Sequence, residues 1–400
     1  MIPAAMREPI VVTGLGVVSA LATTREAFYA ALAAGRSAIA EDPDLLASGY
    51  PLVARVGDFD VRRWVEAKAL RRLTRLAQMA LVAAKQAMQQ GGLAPDPLRT
   101  GIVFATGLGT IRETLDFMTG CLRDGPATGS PSLFPVSVMN AAAGQIAVEL
   151  GLRGVNTTLN HRESSPFAAL MLAADQLALP RADALLVIAA DDLCPPALHG
   201  YRRLGGLTRT GLRPYALDRD GTVLGDGAGA LLLERRDHAL ARGAVPLARL
   251  AGIGAAGDHG PRVGWAKDHG GLVRAIRGAL VEAQMDGAAI DYIAGAGNGL
   301  RGDALEARAL VEALPPAVPC SSITGQTGES MSAGIFRLAA ALYALAEQAL
   351  PGTVGAGVED PAAPLPGLIR APRPSVTVRH VLIPEAAQGG AAFAAVLAQP

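Results

Sequence analysis

The segment NTTLNHRESSPFAAL (156–170) places His161, Arg162, Glu163 and Ser164 on one turn between two apolar runs. Several chemistries are open to such a turn. His161 and Glu163, two residues apart, could share a proton transfer. Ser164 could accept an acyl group, although the Gly-x-Ser-x-Gly pattern of a serine elbow is absent. Glu163 could also simply cap free amides at a helix start, where a carboxylate gains about 0.3–1 kcal/mol, or form an ion pair at an interface. A strand-to-helix turn is a common seat for an acyl-accepting nucleophile, yet no cysteine stands here. Cys121, Cys194 and Cys320 lie far apart and suggest neither a disulfide framework nor a zinc site. The other histidines, His199, His238, His259, His269 and His380, show no metal-ligand spacing, so no metal is expected.

The elements that must position this turn are legible as alternating strands and helices. IVVTGLGVVSAL (10–21) reads as a strand entering a turn, 70–90 as an amphipathic helix and 100–109 as a buried strand. A small-residue helix over 136–150 and a strand over 182–193 follow. Gly14-x-Gly16 after a strand is half of a dinucleotide fingerprint, but Ser19 stands at the third glycine position and no fitting acidic residue closes a following strand. No cofactor is expected. A second series opens with VPLARLAGIGAAGD (245–258), again a strand with Gly-x-Gly, as an internal duplication would give. Helices are expected near 271–286, 303–313 and 329–348, and strands near 290–295 and 317–320. Two strands around a Gly-Gly turn close the chain at 376–399. The alternation predicts an α/β fold with a mostly parallel, covered sheet.

Composition bounds the function. The 400 residues are half hydrophobic and only 18% charged, enough for a large core filled by Ala, Val and Leu, since aromatics are 4%. The 36 basic and 36 acidic residues cancel, so neither nucleic acid nor an anionic membrane is an expected partner. No long uncharged apolar run and no signal peptide are read, and the few cysteines suit the cytoplasm.

Three stretches carry a resemblance: VVTGLGVVSAL, GLRGVN before the elbow, and RPYALDRDGTVLGDGAGALLLE (213–234). They resemble the β-ketoacyl-acyl-carrier-protein synthases of the thiolase fold, in order and with similar spacing over nearly the whole chain. The resemblance implies two duplicated βαβαβ-type halves, residues 1–243 and 244–400, in an α/β/α/β/α arrangement. Active members hold an acyl chain on an elbow cysteine, and two histidines and a supporting lysine serve decarboxylative condensation with malonyl carrier protein. By motif, Glu163 stands at the cysteine, Ala296 in AGAGNGL at the first histidine, and Ser321 and Gln326 in SSITGQ at the lysine and second histidine. The gating loop, usually Phe-Gly-Phe-Gly-Gly, is AAQGG (386–390), with Gln388, Gly389 and Gly390.

All four reacting groups are absent, so no catalytic residue is expected. The pattern is similar to the chain-length factor of type II polyketide systems, aromatic or polyene, which pairs with a cysteine-bearing ketosynthase and often holds glutamine where Glu163 stands. The resemblance then implies a heterodimer, an acyl carrier protein bearing an acyl or malonyl chain as second partner, and interface roles for Arg162 and Phe134. Ile111, Thr114 and Met118, spaced i, i+3 and i+7 on one helical face, are placed beside the shared acyl tunnel; the alternative is ordinary core. Two rival functions are a decarboxylating priming enzyme, which would need the missing histidines, and a free-standing module that binds acyl chains or carrier protein.

Overall fold

The computed structural model describes residues 9–179, 181–261, 264–315 and 317–400. Ten strands make the main sheet: β1 (Ile10–Ser19), β2 (Thr100–Ala105), β3 (Asn156–Leu159), β4 (Ala184–Asp191), β5 (Gly227–Arg235), β6 (Ala248–Gly257), β7 (Tyr292–Gly295), β8 (Cys320–Ser322), β9 (His380–Ala386) and β10 (Ala391–Ala398). Their spatial order is β8-β7-β9-β10-β6-β1-β5-β4-β2-β3. Read outward from the β1/β6 junction, the two sides repeat one pattern, 1-5-4-2-3 and 6-10-9-7-8. The directions repeat as well. The first three strands on each side are antiparallel and the outer pairings are parallel. This is the duplicated, thiolase-like α/β fold, with a mixed sheet in place of a mostly parallel one.

Among the helices that cover or separate these strands are α1 (Arg75–Gly91), α2 (Ile111–Asp124), α3 (Ser165–Ala178), α4 (Pro195–Arg203), α5 (Gly270–Glu282), α6 (Gly302–Ala313) and α7 (Gly334–Glu347). Three large apolar cores result, with a small cluster beside them. The central one packs α3 and α7 against strands of both halves. One outer core lies under α1, the other under α5 and α6.

The glycine pairs have a packing reason. A Cβ on Gly14 or Gly16 would lie 2.0 Å from Ala87 O or 1.8 Å from Ala83 O, both on α1. Likewise, a Cβ on Gly252 or Gly254 would lie 2.3 Å from Ala279 O or 2.1 Å from Ala275 O, on α5. Each pair lets a helix backbone rest directly on a strand. The first pair does not open a turn: β1 runs through it to Ser19.

Some boundaries differ from the reading of the sequence. The 70–90 helix begins at Arg75 because the Thr74 hydroxyl caps it, accepting from Ala77 N–H at 3.2 Å. The 136–150 segment starts as a short 3₁₀ turn (Phe134–Val136), and its helix begins at Ala141, after Ser137 and Asn140, residue types that compete with the helix by local hydrogen bonding. No helix among the described residues is long and apolar enough to cross a membrane.

Candidate functional site

The turn between β3 and α3 is sharp. Arg162 takes φ 55°, a left-handed backbone unusual for a side-chain-bearing residue. Serine hydroxyls hold it there. Ser165 Oγ accepts from His161 N–H at 2.8 Å and donates to Arg162 O at 2.6 Å. Ser164 Oγ donates to His161 O at 2.8 Å and is fully buried, so this hydroxyl is a staple of the elbow. The His161 ring stands edge-on to Phe393, 6.4 Å between centroids.

Glu163 points inward and is 5% exposed. One carboxylate oxygen accepts from the Gln388 backbone N–H and the other from Gln388 Nε2, both at 3.2 Å. Its own backbone N–H lies close enough to favour the charged form. Burial pushes this carboxyl above the ordinary range, and the three donors and the Arg162 charge pull the other way. The carboxylate therefore does not cap α3 as the sequence suggested. It ties the elbow to the β9–β10 loop, where Gly389 and Gly390 take φ 92° and 93°, open to glycine far more readily than to other residues. Elbow and loop together face a cavity of about 840 Å³, lined also by Arg162, Tyr201 of α4, Trp265 and Met331.

Behind the cavity lies a set of buried charges that the sequence reading missed. Glu306 accepts from Ala296 N–H at 2.8 Å, Gly297 N–H at 3.3 Å and Tyr215 OH at 2.8 Å. Asp303 accepts from Asn298, Gly299 and Tyr215 N–H at 2.8, 3.0 and 2.8 Å. These two α6 carboxyls shape the 296–300 loop, and burial pushes Asp303 up to about 7. Arg337 of α7 forms a buried ion pair with Glu385 of β9 and donates to Pro384 O at 2.7 Å. Burial pushes Glu329 up to about 8, with the Arg337 charge opposing and the Glu163 charge adding to the rise. The signal was present in the sequence: a lone arginine in the apolar run GIFRLAAALYALA and a lone glutamate in VLIPEAA are charges that require a buried partner.

An elbow at the start of a helix, a glycine loop facing it and a duplicated fold invite comparison with known proteins. Residues 7–239 match the family model "Beta-ketoacyl synthase, N-terminal domain", and residues 247–356 match "Beta-ketoacyl synthase, C-terminal domain". The chain belongs to the β-ketoacyl synthase family. It is similar to the 3-oxoacyl-[acyl-carrier-protein] synthase 2 of Vibrio cholerae, 30% identical over 363 residues, covering 86% of this chain and 88% of that relative. It is also similar to the putative polyketide beta-ketoacyl synthase 1 of Streptomyces halstedii, 31% identical over 423 residues and 99% of each chain. Among solved structures, the ishigamide ketosynthase/chain length factor superposes with a TM-score of 0.90 at 29% identity, covering 98% of this chain and all of that one.

The four residues expected at the family's reacting positions lie as follows. Glu163 is at the elbow. Ala296 is held by Glu306 through its N–H, and its methyl group can neither donate nor accept a hydrogen bond. Ser321 Oγ shares a 2.7 Å hydrogen bond with Tyr292 OH. Gln326 is fully buried, and neither side-chain amide atom has a hydrogen-bond partner among the described residues. Of these four, only Glu163 lines the cavity, where it is joined by Gln388.

Arg162, expected at an interface, lines the cavity of its own chain. Ile111, Thr114 and Met118 are not among the cavity-lining residues. Ile111 packs against the small apolar cluster that includes Leu198 and Leu207. The Thr114 hydroxyl donates within 2.9 Å of Thr110 O and Ser137 O. Met118 is 44% exposed, so the ordinary-core alternative does not apply to it. The Phe134 ring packs at a 53° tilt against Phe117, 5.7 Å between centroids, and is 60% exposed.

Proposed function

We propose that this chain is a non-condensing ketosynthase-like subunit, a chain-length factor, with halves 1–243 and 244–400. It pairs with a cysteine-bearing ketosynthase, completes that enzyme's acyl tunnel and sets how far a carrier-protein-tethered chain grows. What carries this reading is the resemblance's assignment of Glu163, Ala296, Ser321 and Gln326 to the four reacting positions, together with an elbow, a glycine loop and a cavity that face one another. A thiolate takes an acyl group from a thioester by exchange. A carboxylate would have to form a mixed anhydride, which is uphill, and Glu163 is further disarmed by burial and by its bonds to Gln388. Condensation also needs positioned donors for the enolate oxygen, groups that typically supply several kcal/mol. Ala296 offers none, and Gln326 is a neutral amide that cannot cycle a proton as an imidazole does. The likeness to a ketosynthase/chain length factor structure supports the same reading, as do the exposed apolar side chains of Met118 and Leu122 on one face of α2.

The deciding experiment is co-expression with the cognate ketosynthase and carrier protein. The pair should purify one-to-one and make products of defined mass. The purified chain alone should neither condense acyl and malonyl carrier proteins nor release carbon dioxide from malonyl carrier protein. Turnover by the chain alone, above a heat-killed control, would sink the non-catalytic reading.

A further inference from the structure

We propose that the groove between the short helix Arg25–Ala33 and the C-terminal end of α7 is a binding site for a small organic ammonium cation. The groove lies apart from the elbow and shares no lining residue with the elbow's cavity. It would take an alkylammonium head beside Tyr29, Tyr343 and Glu347, with the alkyl body along an apolar wall. This inference does not depend on the partner-subunit reading.

The groove encloses about 570 Å³, and its aromatic and charged groups all favour a cation. The Tyr29 and Tyr343 rings meet edge to face, 5.3 Å between centroids and 70° apart. A ring face carries the negative part of the aromatic quadrupole and attracts a cation. The chain already uses this attraction. The Arg25 guanidinium lies 6.0 Å from the Tyr29 centroid and is held by Glu26 at 2.7 Å, a cation over a tyrosine with a carboxylate beside it.

The other side of the groove has the carboxylate and the rings without the cation. Glu347 lines it, is exposed, and makes no ion pair among the described residues. It is also the last residue of α7, whose last turn holds no basic residue. A carboxylate at the negative end of a helix dipole is disfavoured, and a cation beside it is attracted by both. Glu347 lies within electrostatic reach of both rings. Burial raises the Tyr29 hydroxyl above its ordinary range, with Arg25 opposing and Glu347 and Glu26 adding to the rise. Burial and then the Glu347 charge raise Tyr343. Both phenols therefore stay neutral, and their oxygens can accept from an ammonium group. The lining sets two carboxylates against one guanidinium, so negative charge is in excess. Ala30, Ala33, Leu247, Leu342 and Pro374 make the rest of the wall apolar, which suits an alkyl body and not a hydrated metal ion.

The test is a calorimetric titration of the purified chain at low ionic strength with n-hexylammonium. The controls are n-hexanol and n-hexanoate, neutral and anionic molecules of the same length. Hexylammonium should bind saturably, in the millimolar range or tighter, and about fivefold or more tightly than either control. Glu347→Gln should weaken hexylammonium about two- to fivefold and leave hexanol unchanged. Tyr29→Leu keeps an apolar wall but removes the ring face, and should weaken hexylammonium by a similar factor, again with no effect on hexanol. Arg25→Gln removes the competing cation and should tighten hexylammonium about two- to threefold. Absence of saturable binding would overturn the proposal. Hexanol binding as tightly as hexylammonium would overturn it too, since the apolar wall alone would then explain the affinity. Tighter binding of hexanoate would assign the groove to anions through Arg25. Full affinity for hexylammonium in the Glu347→Gln chain would place the bound cation elsewhere. If Tyr29→Leu does not fold, Glu347→Gln and Arg25→Gln decide, because neither side chain is buried.

Discussion

Arg337 and Glu385 form an ion pair in the central core, one on α7 and one on β9, 48 residues apart and both almost fully buried. The guanidinium also lies over the Phe167 ring, 5.5 Å from its centroid, so the pair reaches the helix that follows the elbow. Removing one partner leaves an uncompensated charge in a low-dielectric interior. Arg337→Met alone should therefore destabilise the chain by about 3–5 kcal/mol. Replacing both, as Arg337→Met with Glu385→Leu, should recover most of that loss. Urea unfolding of the three proteins checks this. A double variant as unstable as the single one would mean that packing against Phe167, and not charge, sets the cost.

A different dependence follows from Glu329. Its carboxyl is pushed up to about 8 by burial, while in the unfolded chain it titrates near 4.3. The native state then holds a proton that the unfolded state has released, across the window from about 4.3 to 8. Stability from this group is full below the window and declines as pH rises through it, by at most about 1.4 kcal/mol per pH unit. Asp303, pushed up to about 7, acts in the same direction. Glu329→Gln should flatten the fall in stability between about pH 5 and 8. An unchanged pH profile in this variant would show that Glu329 ionises normally in the fold.

How much of this was readable beforehand depends on the range of the interaction. The alternation of strands and helices, the duplicated Gly-x-Gly strands and the elbow at 161–165 all rest on local pattern, and the structure has them. The same local reading mistook Gly14-x-Gly16 for the entry to a turn, because the sequence does not show that the Ala83 and Ala87 carbonyls lie against it. It left Glu163 open between a helix cap, an interface ion pair and a proton-transfer pair with His161, because the partner it has in the fold, Gln388, is 225 residues away. Long-range partners of buried charges escape periodicity. What marks them is only their strangeness in an apolar run, as with Arg337.

On the partner-subunit proposal, Glu163 has no part in bond making. Glu163→Gln should leave condensation by the assembled pair within about twofold, because the amide keeps the shape and an acceptor for Gln388 N–H. Replacing the partner ketosynthase's cysteine should abolish condensation. Rates measured on the purified pair, with assembly checked by sizing, separate the two. A loss from Glu163→Gln as severe as that from the partner's cysteine would give this carboxyl a chemical role.

The last expectation concerns the face of α2. Leu115, Met118 and Leu122 on this helix and Phe134 just after it are 46%, 44%, 80% and 60% exposed. Leu115, Met118 and Leu122, spaced i, i+3 and i+7, share one helical face; exposed large side chains there, with β3 as the terminal strand of the sheet, are what a subunit interface looks like before its partner arrives. Leu122→Asp should leave this chain's own fold intact, since the side chain is mostly in solvent. In the pair it would place an unpaired carboxylate against apolar surface, an arrangement that costs several kcal/mol, so assembly should weaken at least a hundredfold. Met118→Ala and Thr114→Phe act differently, because they alter volume beside the proposed tunnel without adding charge. The first should lengthen products and the second shorten them, each with the one-to-one pair retained. Co-purification and product mass read both effects. A Leu122→Asp chain that still elutes one-to-one with the ketosynthase would move the interface elsewhere. Unchanged product length in the other two, with assembly and rate intact, would remove α2 from the tunnel wall.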